Sequence, residues 1–291
     1  MKRGERMNIA VVTDSTAYLS HEQYDAYDIY SVPLSCIVEN EVYKEERDIT
    51  SEEFFLKVRE MDKLPTSSQP TVGDFIALYE ELGKTYDAII SIHLSGNISG
   101  TYRNAVSVSQ SLENVKVYPY DSELAAAGQA FQVMEAAKLA KNGASVEAIL
   151  EKLDTIKAAT ELYFVVDDLT NLVKGGRLSR AAGSVGTFLN IKPVLTFVDG
   201  LIVPYDKIRT KRKALRKIES LLEKSVKDSE HPIQATIVHA FSEDEAKAFK
   251  ERLEIDFPEV EFNLSFLGPV IGVHTGEGAI GLTWTIKTDE S

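Results

Sequence analysis

The chain has 291 residues, 44% hydrophobic and 26% charged, ordinary for a soluble globular protein and long enough for two packed domains of about 130 to 150 residues. Its 32 basic against 45 acidic side chains leave a net charge of −13, which repels phosphate backbones and disfavours nucleic acid as a partner. A single cysteine, Cys36, excludes an intramolecular disulfide and a thiolate metal cluster and fits a reducing, cytoplasmic setting. Apolar runs such as residues 162–166 fall far short of the roughly 20 residues of a membrane span. Residues 1–6 are charged and lead into no apolar stretch of the kind a signal peptide has.

Through the first half, short β-branched runs alternate with longer segments of helical period, the pattern of a parallel sheet with crossover helices. The predicted strands are residues 8–13, 29–38, 88–93, 115–120 and 162–166. Thr50 and Glu53 form a capping box ahead of Phe54, Phe55 and Val58. A second helix spans 72–82 up to Gly83, a third follows Gly100, an alanine-rich one covers 122–142 up to Gly143, and a fifth covers 146–156. Beyond residue 160 the pattern changes: residues 193–208 form an antiparallel hairpin about Asp199-Gly200. A basic helix at 211–222, a strand at 233–239, a helix at 243–255 and strands at 260–267 and 280–286 complete the chain. The expected fold is α/β: a three-layer parallel-sheet domain over 7–160 and a second α/β domain with a mixed sheet over 161–289. A ligand would be enclosed between and within them.

The string Gly276-Glu277-Gly278-Ala279-Ile280-Gly281 matches the dinucleotide fingerprint letter for letter. Only ten residues follow Gly281 in this sequence, too few for the helix and the acidic ribose ligand that the fingerprint needs. Its glycines are expected to form a loop with unusual torsions and close backbone approach. Leu94-Ser95-Gly96-Asn97-Ile98-Ser99-Gly100-Thr101 leads from a strand into a helix. Its N–H and hydroxyl groups suit a carboxylate or phosphate, or else simply cap the helix. Pro65-Thr66-Ser67-Ser68-Gln69-Pro70-Thr71 is first of all a loop and cap. His274 beside the glycine string marks a binding edge, whereas His21, His93, His231 and His239 are structural. No histidine pair has metal-ligand spacing, and neither a G-x-S-x-G elbow nor a phosphate-binding loop is present. Lys174-Gly175-Gly176-Arg177 is a helix stop or a contact. Arg209, Lys211, Arg212, Lys213, Arg216 and Lys217 form a solvated face or a docking patch for an acidic or phosphate-bearing partner.

Five strings occur in order along nearly the whole chain: Val12-Thr13-Asp14-Ser15, Pro65-Thr66-Ser67-Ser68-Gln69-Pro70, Leu94-Ser95-Gly96-Asn97-Ile98-Ser99-Gly100-Thr101-Tyr102, Leu172-Val173-Lys174-Gly175-Gly176-Arg177-Leu178 and Gly272-Val273-His274-Thr275-Gly276. Together they resemble the DegV family, whose members look like the fatty-acid-binding subunits of bacterial fatty acid kinase. The resemblance implies that the chain is not itself an enzyme and needs no cofactor. It would bind one long-chain fatty acid and present the carboxylate to a separate ATP-dependent kinase subunit. An acyltransferase would receive the acyl phosphate for phospholipid synthesis, with transient membrane-surface contact but no integral membrane segment. The resemblance puts the carboxylate on Thr66, Ser95 and His274, with Ser67, Gly96, Asn97 and Thr275 nearby, and makes Arg209 the kinase contact. Phe164, Phe188, Leu189, Ile191 and Phe266 are candidate lining residues, with core packing as their competing role. The alternative is a hydrolase or phosphotransferase with Ser95 as nucleophile and His274 as base, which lacks an acidic residue placed to orient His274. A carrier or sensor acting without a kinase would share the pocket but not need Arg209.

Overall fold

The structure is a computed structural model that describes residues 7–61, 63–179 and 191–288. β1 (Ile9–Asp14), β2 (Ile29–Val32), β6 (Ala88–His93) and β7 (Lys116–Asp121) form a wholly parallel sheet of order β2-β1-β6-β7. Side chains alternate between the faces of a strand. Ile9 and Val11 therefore meet α5 (Ala127–Asn142) and α6 (Val146–Ala159), while Ala10 and Val12 meet α3 (Val72–Leu82) and α4 (Thr101–Ser109). With both faces covered, every residue of β1 and β6 is buried. α1 (His21–Tyr27) lies on the surface with no buried residue and is started by the Ser20–Gln23 capping box; only Tyr24 and Tyr27 pack on the core, too short an apolar face to show as periodicity.

A second, mixed sheet has the order β10-β9-β8-β13-β11-β12. Its strands are β8 (Glu161–Val165), β9 (Val194–Val198), β10 (Leu201–Asp206), β11 (Ile233–His239), β12 (Glu261–Phe266) and β13 (Ile280–Ile286). Only β11 and β12 run parallel. Tyr163, Val165, Ile237, Leu282 and Trp284 pack one face against α8 (Lys211–Asp228) and α9 (Glu243–Asp256). Leu162, Phe164, Leu195 and Val238 fall on the other face, which turns towards the first half of the chain. There, β3 (Ser35–Val38), β4 (Glu41–Lys44) and β5 (Thr66–Ser68) form a small antiparallel sheet beside α2 (Ser51–Val58). α10 (Pro269–Thr275) packs on β3, β5, α2 and α7 (Thr170–Lys174).

The capping boxes Thr50–Glu53 and Thr71–Asp74 start α2 and α3, and Asp199 (φ 50°) with Gly200 (φ 73°) makes the two-residue turn of the β9–β10 hairpin. Three expectations change. The strand expected over 29–38 is two strands in different sheets, parted at Pro33, which has no N–H for a ladder. The alanine-rich helix starts at Ala127, because Glu123 and Ala126 have φ of 57° and 51° and the Ser122 hydroxyl engages the Leu124 backbone. The loop expected over Thr66–Ser68 is β5, recruited by pairing with β3. The glycine string is a loop followed by a strand: Gly278 has φ 85°, and a Cβ there would lie 2.1 Å from Asp167 Oδ2.

At the carboxyl ends of β1 and β6 the parallel sheet carries a closed polar network. His93 Nδ1 and Asp14 Oδ2 are 3.0 Å apart, and Leu94 N donates to that oxygen at 3.0 Å. Thr16 donates its hydroxyl to Asp14 Oδ1 at 2.5 Å, while His93 Nε2 lies 2.7 Å from Ser91 Oγ, which lies 2.7 Å from Tyr79 OH. Asp14, Thr16, Ser91, His93 and Tyr79 have no exposed surface. Burial by itself raises the Asp14 carboxyl, but His93, Thr16 and Leu94 outweigh it and hold it below the usual carboxylate range. Asp14→Ala strands these donors and is expected to cost about 3 to 5 kcal/mol in urea unfolding. Glu22→Ala on exposed α1 should change stability by less than about 0.5 kcal/mol in the same assay.

Candidate functional site

A cavity of about 420 Å³ lies against the face of the second sheet that α8 and α9 leave uncovered. Leu162, Phe164, Phe197, Ile202 and Val238 line it from that sheet; Leu34, Leu94, Leu172, Val270 and Ile271 complete the apolar wall. Its polar lining comes from Ser67, Ser68, Gln69, Ser99, Arg177, His274 and Thr275. These belong to β5, the turn before α4, the exit from α7 and the last turn of α10. Their contacts join them into one end. Ser67 Oγ lies 2.8 Å from His274 Nε2, and the His274 ring packs on Gly175, where a Cβ would come within 2.5 Å of Nδ1. Arg177 donates Nε to the Ile98 carbonyl at 3.2 Å and Nη1 to the Gly175 carbonyl.

His274 is 9% exposed, and its Nδ1 has no hydrogen-bond partner among the described residues. Burial, then the neighbouring Arg177 charge, push the imidazole down to about 4, so it is neutral at neutral pH. Arg177 feels burial as the only cause of its lowered value and has no carboxylate partner among the described residues. A guanidinium does not lose its proton in a protein. The polar end therefore holds one fixed positive charge, a neutral imidazole and hydroxyls, an arrangement that meets a single anionic group. A serine hydroxyl bonded to an imidazole is also the start of a nucleophile–base pair, but among the described residues Nδ1 has no carboxylate to orient it or to stabilise an imidazolium.

The structure does not bring Thr66, Ser95 and His274 together. Successive residues of a strand point to opposite sides, so β5 turns Ser67 towards His274 and leaves Thr66 exposed. Ser95 is fully buried: its hydroxyl donates to the Gly200 carbonyl at 2.7 Å and accepts from Asn97 N at 3.2 Å. Asn97 Nδ2 donates to the Asp199 carbonyl at 2.7 Å, and Gly96 N donates to the Asp121 carboxylate at 3.2 Å. Ser95 and Asn97 tie the turn before α4 to the β9–β10 hairpin, Gly96 ties it to the end of β7, and none of the three lines the cavity. Thr275 does line it, its hydroxyl donating back to the Ile271 carbonyl at 3.1 Å. Phe164 is in the wall; Ile191 packs on the surrounding core, Phe266 packs tilted against Tyr18 with ring centroids 5.3 Å apart, and Phe188 and Leu189 lie outside the described residues. Arg209 is exposed beside Thr210, the N-cap of α8. Sequence reasoning undervalued Arg177 and Ser99; the available signal was an arginine directly after two glycines, one of which has to admit a ring.

The fold and site define an α/β protein of two main sheets and one small one, with a largely apolar cavity that has a cationic, hydrogen-bonding end. The chain belongs to the DegV family: the family described as "Uncharacterised protein, DegV family" matches residues 8–287. Protein DegV of Bacillus subtilis is 46% identical over 282 residues, 97% of this chain and 100% of that one. A crystal structure of DegV from Bacillus subtilis, described as a fatty acid binding protein, superposes with a TM-score of 0.92 at 45% identity over 97% of this chain and 100% of that one. A DegV family protein from Thermus thermophilus, described by its fatty acid binding, gives a TM-score of 0.90 at 32% identity over the same shares.

His274 and Glu45 pull stability in opposite directions with pH. Burial raises the Glu45 carboxyl to about 7, against the bonds from Ser15, Val270 and Tyr18, so its contribution is present below about 4.5 and lost as pH rises through 7. His274 is depressed from 6.5 to about 4, so its contribution is present above 6.5 and lost as pH falls through 4. The two largely cancel in the wild type, and a variant separates them. Between pH 7 and pH 4 the ligand-free wild type should lose on the order of 3 kcal/mol relative to His274→Gln in denaturant unfolding. A difference that does not vary with pH would show that the imidazole is not held neutral.

Proposed function

We propose that the chain binds one long-chain fatty acid in this cavity and presents its carboxylate to a separate ATP-dependent kinase subunit, which converts it to an acyl phosphate while the chain holds it. The observation that carries the binding half is Arg177, a desolvated guanidinium without a carboxylate partner among the described residues, at the polar end of an otherwise apolar cavity. An acyl chain of about 16 carbons, buried at about 0.8 kcal/mol per CH₂, contributes on the order of 12 kcal/mol of gross driving force. A carboxylate leaving water needs charged or hydrogen-bonding partners to offset its desolvation. Ser67, His274 and Arg177 supply them, with Ser99 and Thr275 beside them. The fatty-acid binding described for the relatives from Bacillus subtilis and Thermus thermophilus supports this ligand class.

The kinase half rests on the family resemblance and on surface charge. Arg209 is exposed at the start of α8, whose first two turns carry Lys211, Arg212, Lys213, Arg216 and Lys217 on an otherwise acidic protein. In this reading the chain performs no chemistry and needs no cofactor, and an acyltransferase receives the acyl phosphate. The hydrolase alternative needs Ser95 beside His274, whereas the Ser95 hydroxyl is committed to Gly200.

Native mass spectrometry of the chain purified from a bacterial host, repeated after solvent extraction, is expected to show one fatty acid per chain. Arg209→Ala should keep that ligand and lower kinase-dependent phosphorylation by about tenfold, the loss of roughly 1.4 kcal/mol of interfacial contact. A chain that is empty on purification and stays empty after incubation with fatty acids overturns the proposal.

A further inference from the structure

α10 is seven residues long, and Val270, Ile271, His274 and Thr275 all line the cavity. A helix this short spans about 10 Å, so the anchor at its beginning helps to set where His274 and Thr275 lie, together with the packing of the helix on α2, α7, β3 and β5. The anchor does not come from its own N-cap, Gly268, which offers no side chain. It comes from Glu45, more than 200 residues earlier in the chain. Glu45 is 1% exposed; its Oε1 accepts the Val270 N–H at 2.7 Å and the Tyr18 hydroxyl at 2.9 Å, and its Oε2 accepts the Ser15 hydroxyl at 2.5 Å. Tyr18 OH in turn accepts the Ile271 N–H at 3.3 Å.

Two orphan donors of the first turn are thus satisfied by a carboxylate and a phenol from the first half of the chain, and the carboxylate also sits where the helix dipole favours negative charge. The approach is so close that Gly268 cannot be replaced: a Cβ there would lie 2.5 Å from the Tyr18 ring and 2.8 Å from Glu45 Oε1. Glu45 is itself fixed through its backbone, whose N–H donates to the Leu34 carbonyl at 2.9 Å, and Leu34 lines the cavity. No part of this arrangement touches the polar end directly.

We propose that Glu45 is a positioning residue for the carboxylate end of the cavity, acting through α10 and relayed by Tyr18. The inference rests on the fatty-acid reading above and deepens it. Binding groups have to be held within about 0.5 Å of their working geometry, and a first turn released from Glu45 lets His274 and Thr275 drift, while the larger part of the apolar wall, supplied by Leu162, Phe164, Phe197, Ile202 and Val238 of the sheet and by Leu34, Leu94 and Leu172, stays in place.

The test compares the affinity of delipidated protein for a fatty acid of about 16 carbons with that for the primary alcohol of the same chain, alongside thermal unfolding. For Glu45→Ala the acid should bind at least about tenfold more weakly and the alcohol within about twofold of wild type, collapsing the acid-to-alcohol preference. Glu45→Gln keeps an acceptor for Val270 N and should restore most of that preference. Tyr18→Phe removes only the relay hydroxyl, keeps the ring on Phe266, and should lower the preference by about fivefold, as one hydrogen bond of about 1 kcal/mol predicts. This variant decides the matter should Glu45→Ala fail to fold. Equal loss for acid and alcohol in the variants, or no loss, overturns the inference while leaving the fatty-acid reading intact. A wild type that does not prefer the acid overturns the head-group reading and this inference with it.

Discussion

The site follows from a sheet face that long helices cover only in part: α5 and α6 reach it at β11 and β13. The six-stranded sheet alternates its side chains, so Tyr163 and Val165 go to α8 and α9 while Leu162 and Phe164 go the other way. An apolar face of that size has to be buried against something. Over the rest lie α7, α10 and α2, helices of five to eight residues, and the small sheet, whose strands have three or four; such short elements do not close over it as a pair of long helices would. A cavity remains between them, apolar on most sides because it is a core left partly unfilled.

The electrostatics of its polar end are set by exclusion of water rather than by a dense array of charges. His274 is kept neutral, so it can offer or accept one hydrogen bond without competing with Arg177 as a cation. Arg177 spends two of its donors on backbone carbonyls, which fixes its plane and leaves its charge uncompensated by any described carboxylate. Glu45 puts a titratable carboxyl at the far end of α10, where it acts on the site through the helix backbone. Three groups with shifted titration thus sit on one short path, each moved chiefly by burial, the behaviour expected where a site is built for a single charged ligand group.

The chain also contains a decoy. Asp14, His93 and Ser91 are aligned as an acid, an imidazole and a hydroxyl would be in a catalytic triad, at the point of the parallel sheet where α/β proteins commonly bind ligands. None has any exposed surface, and the serine hydroxyl is held by Tyr79. The network satisfies buried polar groups at a strand terminus, and the ligand-sized space lies instead beneath the second sheet.

Local physics wrote much of this fold into the sequence. Capping boxes at Thr50–Glu53 and Thr71–Asp74, the Asp199-Gly200 turn and the apolar runs of β6, β11 and β13 depend on residues within a few positions of one another. The α/β class, the parallel first sheet and the mixed second sheet were therefore legible, and five strings in order carried the resemblance to the family. His274 was recognisable beside its glycines, and so was the falsity of the dinucleotide fingerprint. Only the tertiary structure decided which hydroxyl meets that histidine. Thr66 and Ser67 differ by one register step in a three-residue strand that exists solely because β3 lies beside it. Ser95 and Ser99 share one turn, yet a hairpin 105 residues away claims the first and leaves the second on the cavity. The anchoring of α10 by Glu45 spans 225 residues. Such contacts carry no periodicity and no spacing, since they arise from the packing of whole layers, and for that reason the site's boundary is a property of the fold rather than of any segment.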